Sequence, residues 1–336
     1  MPPRVSIVIP CYNEQATIRQ LLEAIYQQTY SRAEMEVVIA DGLSEDATRD
    51  EISDFQREHP DLVVRVVDNA ARSIPSAVNC AVRAARGETI VRMDAHSRPY
   101  PDYVEYCLSA LDADLGDNVG GVWDIKPGSE SWMAESIAVA AAHPLGVGDA
   151  MYRIGAQASE VDTVPFGAFR RALVDKIGPF DEMLRGANED YEFNTRIRQA
   201  GGRVWLDPKI VTVYYARSTL QELARQYWRY GYWKFRMLRR YPDTIRWRQG
   251  LPPLFVASLI GLTLLAWWPL AGWLLMLELA IYGTVLLLAG LLSALRQQKI
   301  YLFIGLPLSI ATMHFAWGGG FLWSLIMSTL EDRKNG

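Results

Sequence analysis

Glu88-Thr89-Ile90-Val91-Arg92-Met93-Asp94-Ala95-His96 runs an apolar strand into two candidate metal ligands one residue apart. The run follows Gly87 and ends where a strand becomes a loop. At strand spacing Asp94 and His96 point to the same side. One divalent cation could then be held by both, with its other positions open to phosphate oxygens. An ordinary polar strand end, with Asp94 capping a turn, has the same sequence. The surrounding chain decides between the two.

Upstream, strands and helices alternate. Val5–Ile9, Met35–Ala40, Leu62–Asp68 and Glu88–Met93 read as strands. Gln15–Thr29, Thr48–Glu58 and Ile74–Ala85 read as helices. Such alternation predicts an α/β fold with a mostly parallel sheet covered on both faces. Ligands of these sheets bind beyond the carboxyl ends of the strands. Polar residues collect there: Tyr12-Asn13-Glu14, Asp41-Gly42, Asn69 with Arg72, and Asp94-Ala95-His96. Four successive strand ends of this kind predict one cleft. A carboxylate at Asp41 could accept from a nucleobase N–H, and Ser44 or Asp46 would cap the helix that follows. Neither a P-loop nor a dinucleotide fingerprint follows the first strand.

Downstream, Trp132–His143 reads as a helix followed by a glycine-rich passage to Gly155. Asn188 is expected to cap a helix from Glu189 to Ala200, with short strands at Val204–Leu206 and Ile210–Tyr214 around Pro208. Glu189 and Asp190 stand at that helix start, where negative charge is favoured. An ionised carboxylate there can accept a proton from a hydroxyl; simple capping is the plainer alternative. Leu220–Arg239 reads as an amphipathic helix. It puts Gln226, Arg229 or Tyr230, and Trp233 on one face, suited to a diphosphate and a sugar ring or to anchoring at a membrane interface.

The 336 residues carry a net charge of -4, which gives no sign of a nucleic-acid partner. The charge is unevenly placed. Arg217 to Arg248 holds nine Lys or Arg against Glu222 and Asp243, whereas Gln249 to Thr329 holds only Glu278, Arg296 and Lys299. A basic collar beside an apolar tail predicts a cytoplasmic membrane boundary. The apolar stretches are Pro253–Trp268, Leu270–Leu295 and Ile300–Met327; the last two are long enough for a bilayer core of about 30 Å. Two spans before Arg296–Lys299 would keep that loop and the collar on the cytoplasmic side. His314 and Gly318-Gly319-Gly320 inside the last stretch fit a helix-packing role or a functional one. The chain opens directly into a strand, so the N-terminal half is expected in the cytoplasm. Cys11, Cys80 and Cys107 are scattered and are expected to be buried free thiols.

Val5 through Glu14, Asp41 through Thr48, Asp94-Ala95-His96, Glu189-Asp190 and Gln226 through Trp233 together resemble the family 2 glycosyltransferases. They occur in the family's order, over roughly residues 4–240. With the membrane tail and Asn188-Glu189-Asp190-Tyr191-Glu192, the chain looks most like the membrane-bound glucosyltransferases of succinoglycan-type exopolysaccharide synthesis. The resemblance implies a GT-A catalytic domain over 1–216, basic interfacial helices over 217–250, and two to three transmembrane helices over 251–330. It implies inverting transfer from a nucleotide-diphosphate sugar, UDP-glucose first, to a polyprenyl-diphosphate-linked saccharide at a bacterial inner membrane. By that analogy Pro10, Tyr12, Glu14 and Asp41 border the nucleoside and Arg72 lies near it. Asp94 and His96 would hold Mn²⁺ or Mg²⁺ on the diphosphate. Asp190 would be the general base and Glu189 would position the acceptor. Gln226, Arg229 and Trp233 would contact the donor, although Tyr230 stands where the family usually has Trp. His96 replaces the more usual Asp, and Tyr214-Tyr215 replaces a His common in relatives, so His96 is expected to supply the imidazole missing there. A processive polysaccharide synthase and a non-catalytic membrane scaffold are the alternatives.

Overall fold

The computed structural model describes residues 2–155 and 157–335. In chain order the strands are β1 (Val5–Cys11), β2 (Met35–Asp41), β3 (Val63–Asp68), β4 (Thr89–Arg92), β5 (Arg98–Pro99), β6 (Asn118–Lys126), β7 (Ser159–Glu160), β8 (Ala168–Arg170) and β9 (Val204–Tyr215). The helices are α1 (Ile18–Tyr26), α2 (Thr48–Glu58), α3 (Ile74–Ala84), α4 (Tyr103–Asp112), α5 (Trp132–Ala141), α6 (Pro144–Val147), α7 (Met151–Ile154), α8 (Ala172–Ile177), α9 (Glu189–Gln199), α10 (Leu220–Arg240), α11 (Trp247–Leu264), α12 (Pro269–Gln297) and α13 (Leu302–Asn335). Two compact units form: Met1–Asp124 with Gly155–Tyr214, and Ile125–Ile154 with Tyr215–Gly336. The break expected at 216 is thus joined by a second, because residues 125–154 pack with the C-terminal helices.

In the first unit the sheet order is β3-β2-β1-β4-β8-β6-β9-β5, with β7 on β9. β1 pairs in parallel with β2 and β4, and β2 with β3. β8 joins antiparallel to β4 and β6. Every residue of β1 and β2 is buried, as a parallel strand covered on both faces requires. Ile7, Ile9, Val37 and Ile39 pack with Leu21, Ile25 and Phe55 from α1 and α2 in the main core. The chain order reverses between β1 and β4, so the crevice at their carboxyl ends is the topological switch point.

Several details differ from expectation. β9 is one strand running through Pro208; its rungs to β7, at Trp205 and Leu206, and to β5, at Thr212 and Val213, lie on either side of the proline. β8 occupies part of the Phe166–Arg171 run, for which no strand was expected. Asn188 does not cap α9 with its side chain; its backbone is left-handed, with φ 70°. The acidic first turn, Glu189, Asp190 and Glu192, supplies the negative charge that the helix terminus favours. Cys11 and Cys107 are buried and Cys80 is half-buried, all free.

In the second unit α13 packs against α10, α11, α12 and α5. Glycine sets the closest approach. A Cβ on Gly231 of α10 would lie 2.1 Å from the Trp317 carbonyl oxygen, and one on Gly320 of α13 would lie 2.2 Å from that of Trp228. The two backbones therefore touch, as at small-residue helix crossings. The Leu145 carbonyl can only accept, so His314 Nε2 donates to it at 2.8 Å, and neutral Nδ1 accepts from the Tyr282 hydroxyl at 3.1 Å. His314 thus ties α13 to α12 and α6, a packing role. Glu135 of α5 bonds Lys299 and Tyr301 between α12 and α13. Pro269–Gln297 and Leu302–Asp332 are long and apolar enough to cross a membrane; α11, at 18 residues, does not qualify by length and composition.

Candidate active site

Three loops at the carboxyl ends of β1, β2 and β3 each carry a non-glycine residue with left-handed backbone: Asn13 (φ 54°), Leu43 (φ 59°) and Arg72 (φ 52°). Such conformations cost about 1–2 kcal/mol per residue and gather at functional sites. Hydrogen bonds hold the loops together. Asn13 N donates to Ser44 Oγ at 2.9 Å, Glu45 N to Asn13 Oδ1 at 2.9 Å, and Glu14 N to Thr48 Oγ1 at 2.8 Å. The Arg72 guanidinium lies 5.2 Å from the centre of the Tyr12 ring and donates to its hydroxyl at 3.3 Å. Arg72 also pairs with Glu45 at 2.9 Å, so Tyr12, Leu43 and Arg72 make an exposed rim of an aromatic ring and a charge-paired guanidinium, suited to a flat nucleobase.

Asp41 is less open than its sequence position implied. It is wholly buried, and accepts from Ser44 N (3.0 Å), Ser44 Oγ (2.5 Å) and Arg49 Nε (2.6 Å). It organises the loop, and a nucleobase would have to share oxygens already engaged. Ser44 is therefore spent on Asp41, while Asp46 accepts from Thr48 N at 3.0 Å in the first turn of α2. Pro10 is buried within β1, beside Ala40.

Asp94 and His96 flank the switch point from β4. The strand ends at Arg92, and Ser97 N donates to the Asp94 carbonyl at 2.9 Å. The two candidates thus stand in a turn, not at strand spacing. His96, half exposed, places Nδ1 3.1 Å from Glu14 Oε1, which closes the crevice between the β1 and β4 loops. The carboxylate can only accept, so Nδ1 carries the proton. In the neutral ring Nε2 is then the basic nitrogen, the arrangement of carboxylate-oriented metal-binding histidines. A partly exposed carboxylate and an imidazole suit Mn²⁺ chemistry and tolerate Mg²⁺. Among the described residues the one group of three or more close metal-type ligands is Glu23, Glu58 and His59, on other elements.

Asp190 lies in the first turn of α9, and that helix is set firmly. Asn194 accepts from Asn118 Nδ2 at 2.6 Å and donates to Thr163 Oγ1 at 3.0 Å. Arg196 pairs with Glu192 and donates to the carbonyls of Ile177, Gly178 and Pro179. Phe193 stacks on Phe180 at 4.2 Å. Burial and the adjacent Glu189 push the Asp190 carboxyl up to about 6, with Arg92 pulling the other way. Glu189 is buried, and its Oε1 lies 2.7 Å from Arg92 Nη2, so the structure gives it an interior ion pair in place of an acceptor-facing position. Arg92 was not singled out from the sequence. The available signal was a single charge inside an apolar strand.

The fold, the switch-point cleft and the acidic turn of α9 converge with sequence comparison. The profile of Glycosyl transferase family 2 matches residues 6–178. This chain belongs to that family. It is 31% identical to the succinoglycan biosynthesis protein ExoA of Rhizobium meliloti (strain 1021), over 95% of this chain and 94% of that one. It is 26% identical, over 96% and 97%, to the dolichyl N-acetyl-alpha-D-glucosaminyl phosphate 3-beta-D-2,3-diacetamido-2,3-dideoxy-beta-D-glucuronosyltransferase of Methanococcus voltae. Among solved structures, the mannosyltransferase PcManGT of Pyrobaculum calidifontis, in complex with GDP-Man and Mn2+, superposes with a TM-score of 0.62. It shares 22% identity over 96% of this chain and 88% of that one, and shows the shared GT-A-like fold. The chain is a glycosyltransferase related to enzymes of exopolysaccharide and lipid-linked sugar synthesis.

In this glycosyltransferase Gln226, Arg229 and Trp233 lie on α10, in the second unit. Gln226 is buried and donates to the Tyr230 hydroxyl at 2.9 Å; Arg229 is exposed. Tyr214 stacks on Trp123 at 4.1 Å.

Proposed function

We propose that this enzyme moves a sugar, with inversion, from a nucleotide-diphosphate donor to a lipid-linked saccharide at a membrane. UDP-glucose is the first donor to test. The observation that carries the reading is the convergence of the Asp94–His96 turn and the acidic turn of α9 on one end of the sheet, linked through Arg92. Tyr12 and Arg72 bracket the base, with Pro10, Glu14 and Asp41 shaping the loop beneath. Asp94 and His96 are the residues that would hold a Mn²⁺ or Mg²⁺ ion for the diphosphate. When bound, that ion neutralises charge developing on the leaving group. Asp190 takes the proton of the acceptor hydroxyl. The oxygen attacks the anomeric carbon from the face opposite the diphosphate, the glycosidic bond forms, and the bond to the diphosphate oxygen breaks. On α10 of the second unit, exposed Arg229 and the neighbouring Trp233 serve the membrane interface.

The second unit supports a membrane location. α12 carries exposed Trp273 at one end, next to Trp267 and Trp268, and Arg296 with Lys299 at the other. Aromatic residues favour the interface and basic residues the cytoplasmic side. We infer that α11, though less apolar than the two candidate spans α12 and α13, crosses with α12 as a hairpin, since that keeps both the basic collar and Arg296 with Lys299 on the cytoplasmic side. The Methanococcus voltae relative, named for a dolichyl-phosphate-linked sugar, supports a lipid-linked acceptor.

The test is a donor screen with the full-length protein in detergent. Released UDP or GDP is read with a polyprenyl-diphosphate saccharide present and absent, and with Mn²⁺, Mg²⁺ or chelator. Acceptor-dependent release of UDP that chelator abolishes and Mn²⁺ restores is expected. Release that ignores both acceptor and metal would remove the reading.

A further inference from the structure

Arg92, the last residue of β4, is 2% exposed. Its Nη2 lies 2.7 Å from Glu189 Oε1 and 3.2 Å from Asp94 Oδ1. Nε and Nη1 have no hydrogen-bond partner among the described residues. The face of the Phe180 ring lies 5.9 Å away. Burial works against the charge, and Asp94, Glu189 and Asp190 more than offset it, so the guanidinium stays protonated.

Stability alone gives little reason for this arrangement. Both members of the Arg92–Glu189 pair are almost fully buried, at 3% and 7% side-chain exposure. Apolar pairs of similar volume are commonly as stable as buried ion pairs or more so. The two donors left unpaired add a desolvation penalty. The arrangement does tie two distant points of the chain through a single nitrogen. One is the turn carrying Asp94; the other is the first turn of α9, where Glu189 directly precedes Asp190.

We propose that Arg92 is a positioning residue for the transfer, acting through Glu189 and Asp94. It fixes the first turn of α9 against the Asp94 turn, and so sets the distance between the acceptor-activating carboxylate and the diphosphate end of the donor. Glu189 is the anchor of that strut and does not touch the acceptor. This rests on the roles proposed for Asp94 and Asp190. Arg92 also competes for Asp94 Oδ1 and repels a cation there. Its loss therefore separates two quantities that a general disturbance would lower together. Metal binding is kept or tightened, and turnover falls.

The test uses the full-length protein in detergent, with Arg92→Met/Glu189→Met, Arg92→Lys and Asp190→Asn. Melting temperature, binding of Mn²⁺ with UDP by calorimetry, and UDP release are measured. The double variant is expected to melt close to the unchanged protein, to bind Mn²⁺ with UDP at least as tightly, and to lose turnover by about tenfold or more, as misplacement of reacting groups does. Arg92→Lys keeps the charge but lacks the planar fork, and is expected to lose roughly tenfold in turnover while folding normally. Turnover within roughly threefold of the unchanged protein in either variant would overturn the proposal, since misplacement should cost more. So would loss of Mn²⁺ and UDP binding in step with turnover. Asp190→Asn tests the underlying reading separately: if it keeps full turnover, that reading fails whatever Arg92 does.

Discussion

In the role proposed for it, Asp190 must be ionised to accept a hydroxyl proton, and its surroundings oppose ionisation. With the carboxyl pushed up to about 6, the protonated, inactive form grows as pH falls through that value. A single-turnover rate measured against pH should therefore be level above about pH 7 and fall tenfold per unit below about 6. A rate still level at pH 5 would assign the proton to another group. Asp190→Asn should lower that rate by about 10²–10⁴-fold while leaving nucleotide binding intact. Much of the candidate site was legible at this scale, because carboxylates, imidazole and aromatics at strand ends stand out against apolar strands. Partnership was not legible. Asp41 was visible as a strand-end carboxylate, but its engagement by Ser44 and Arg49 depends on how the loop folds. Glu189 and Asp190 look equivalent in sequence; helical geometry turns one toward Arg92.

The first four strands and α2 followed from periodicity alone, since a buried parallel strand is a short apolar run between turn residues. The middle of the chain was harder. β8 is three residues long and β5 and β7 two each, too short to show alternation, and they exist because neighbouring strands offer free edges. The pairing of β6 with β9 hides another constraint. A Cβ on Gly121 would lie 1.6 Å from the Ile210 carbonyl oxygen, a backbone atom that cannot step aside. Gly121→Ala should therefore destabilise the first unit by about 1–3 kcal/mol or more, seen as a lower urea midpoint. A variant as stable as the unchanged protein would show that these strands can part locally. Firm packing of α9, through Asn194, Arg196 and Phe193, is what lets one helix turn present a carboxylate at a fixed place.

At the scale of the molecule, the hairpin proposed for α11 and α12 makes a directional prediction. With cysteine at Trp268 or at Gln298, a membrane-impermeant maleimide on intact cells should label the first, and the second only after permeabilisation. The reverse pattern would invert the orientation, and equal labelling of both would place the hairpin along the surface. The tail was easily read as apolar. The way residues 125–154 join it was not, because that packing depends on glycines and on Glu135 meeting Lys299 and Tyr301. The contact of α10 with α13 reaches further. Their backbones touch at Gly231 and Gly320, so neither helix can slide or tilt alone. α13 is one of the two helices long and apolar enough to span, and a spanning helix answers a thicker or thinner bilayer by changing its tilt. In the proposed membrane setting any such change would be passed to α10, so the thickness of the surrounding lipid would set the tilt of both helices together.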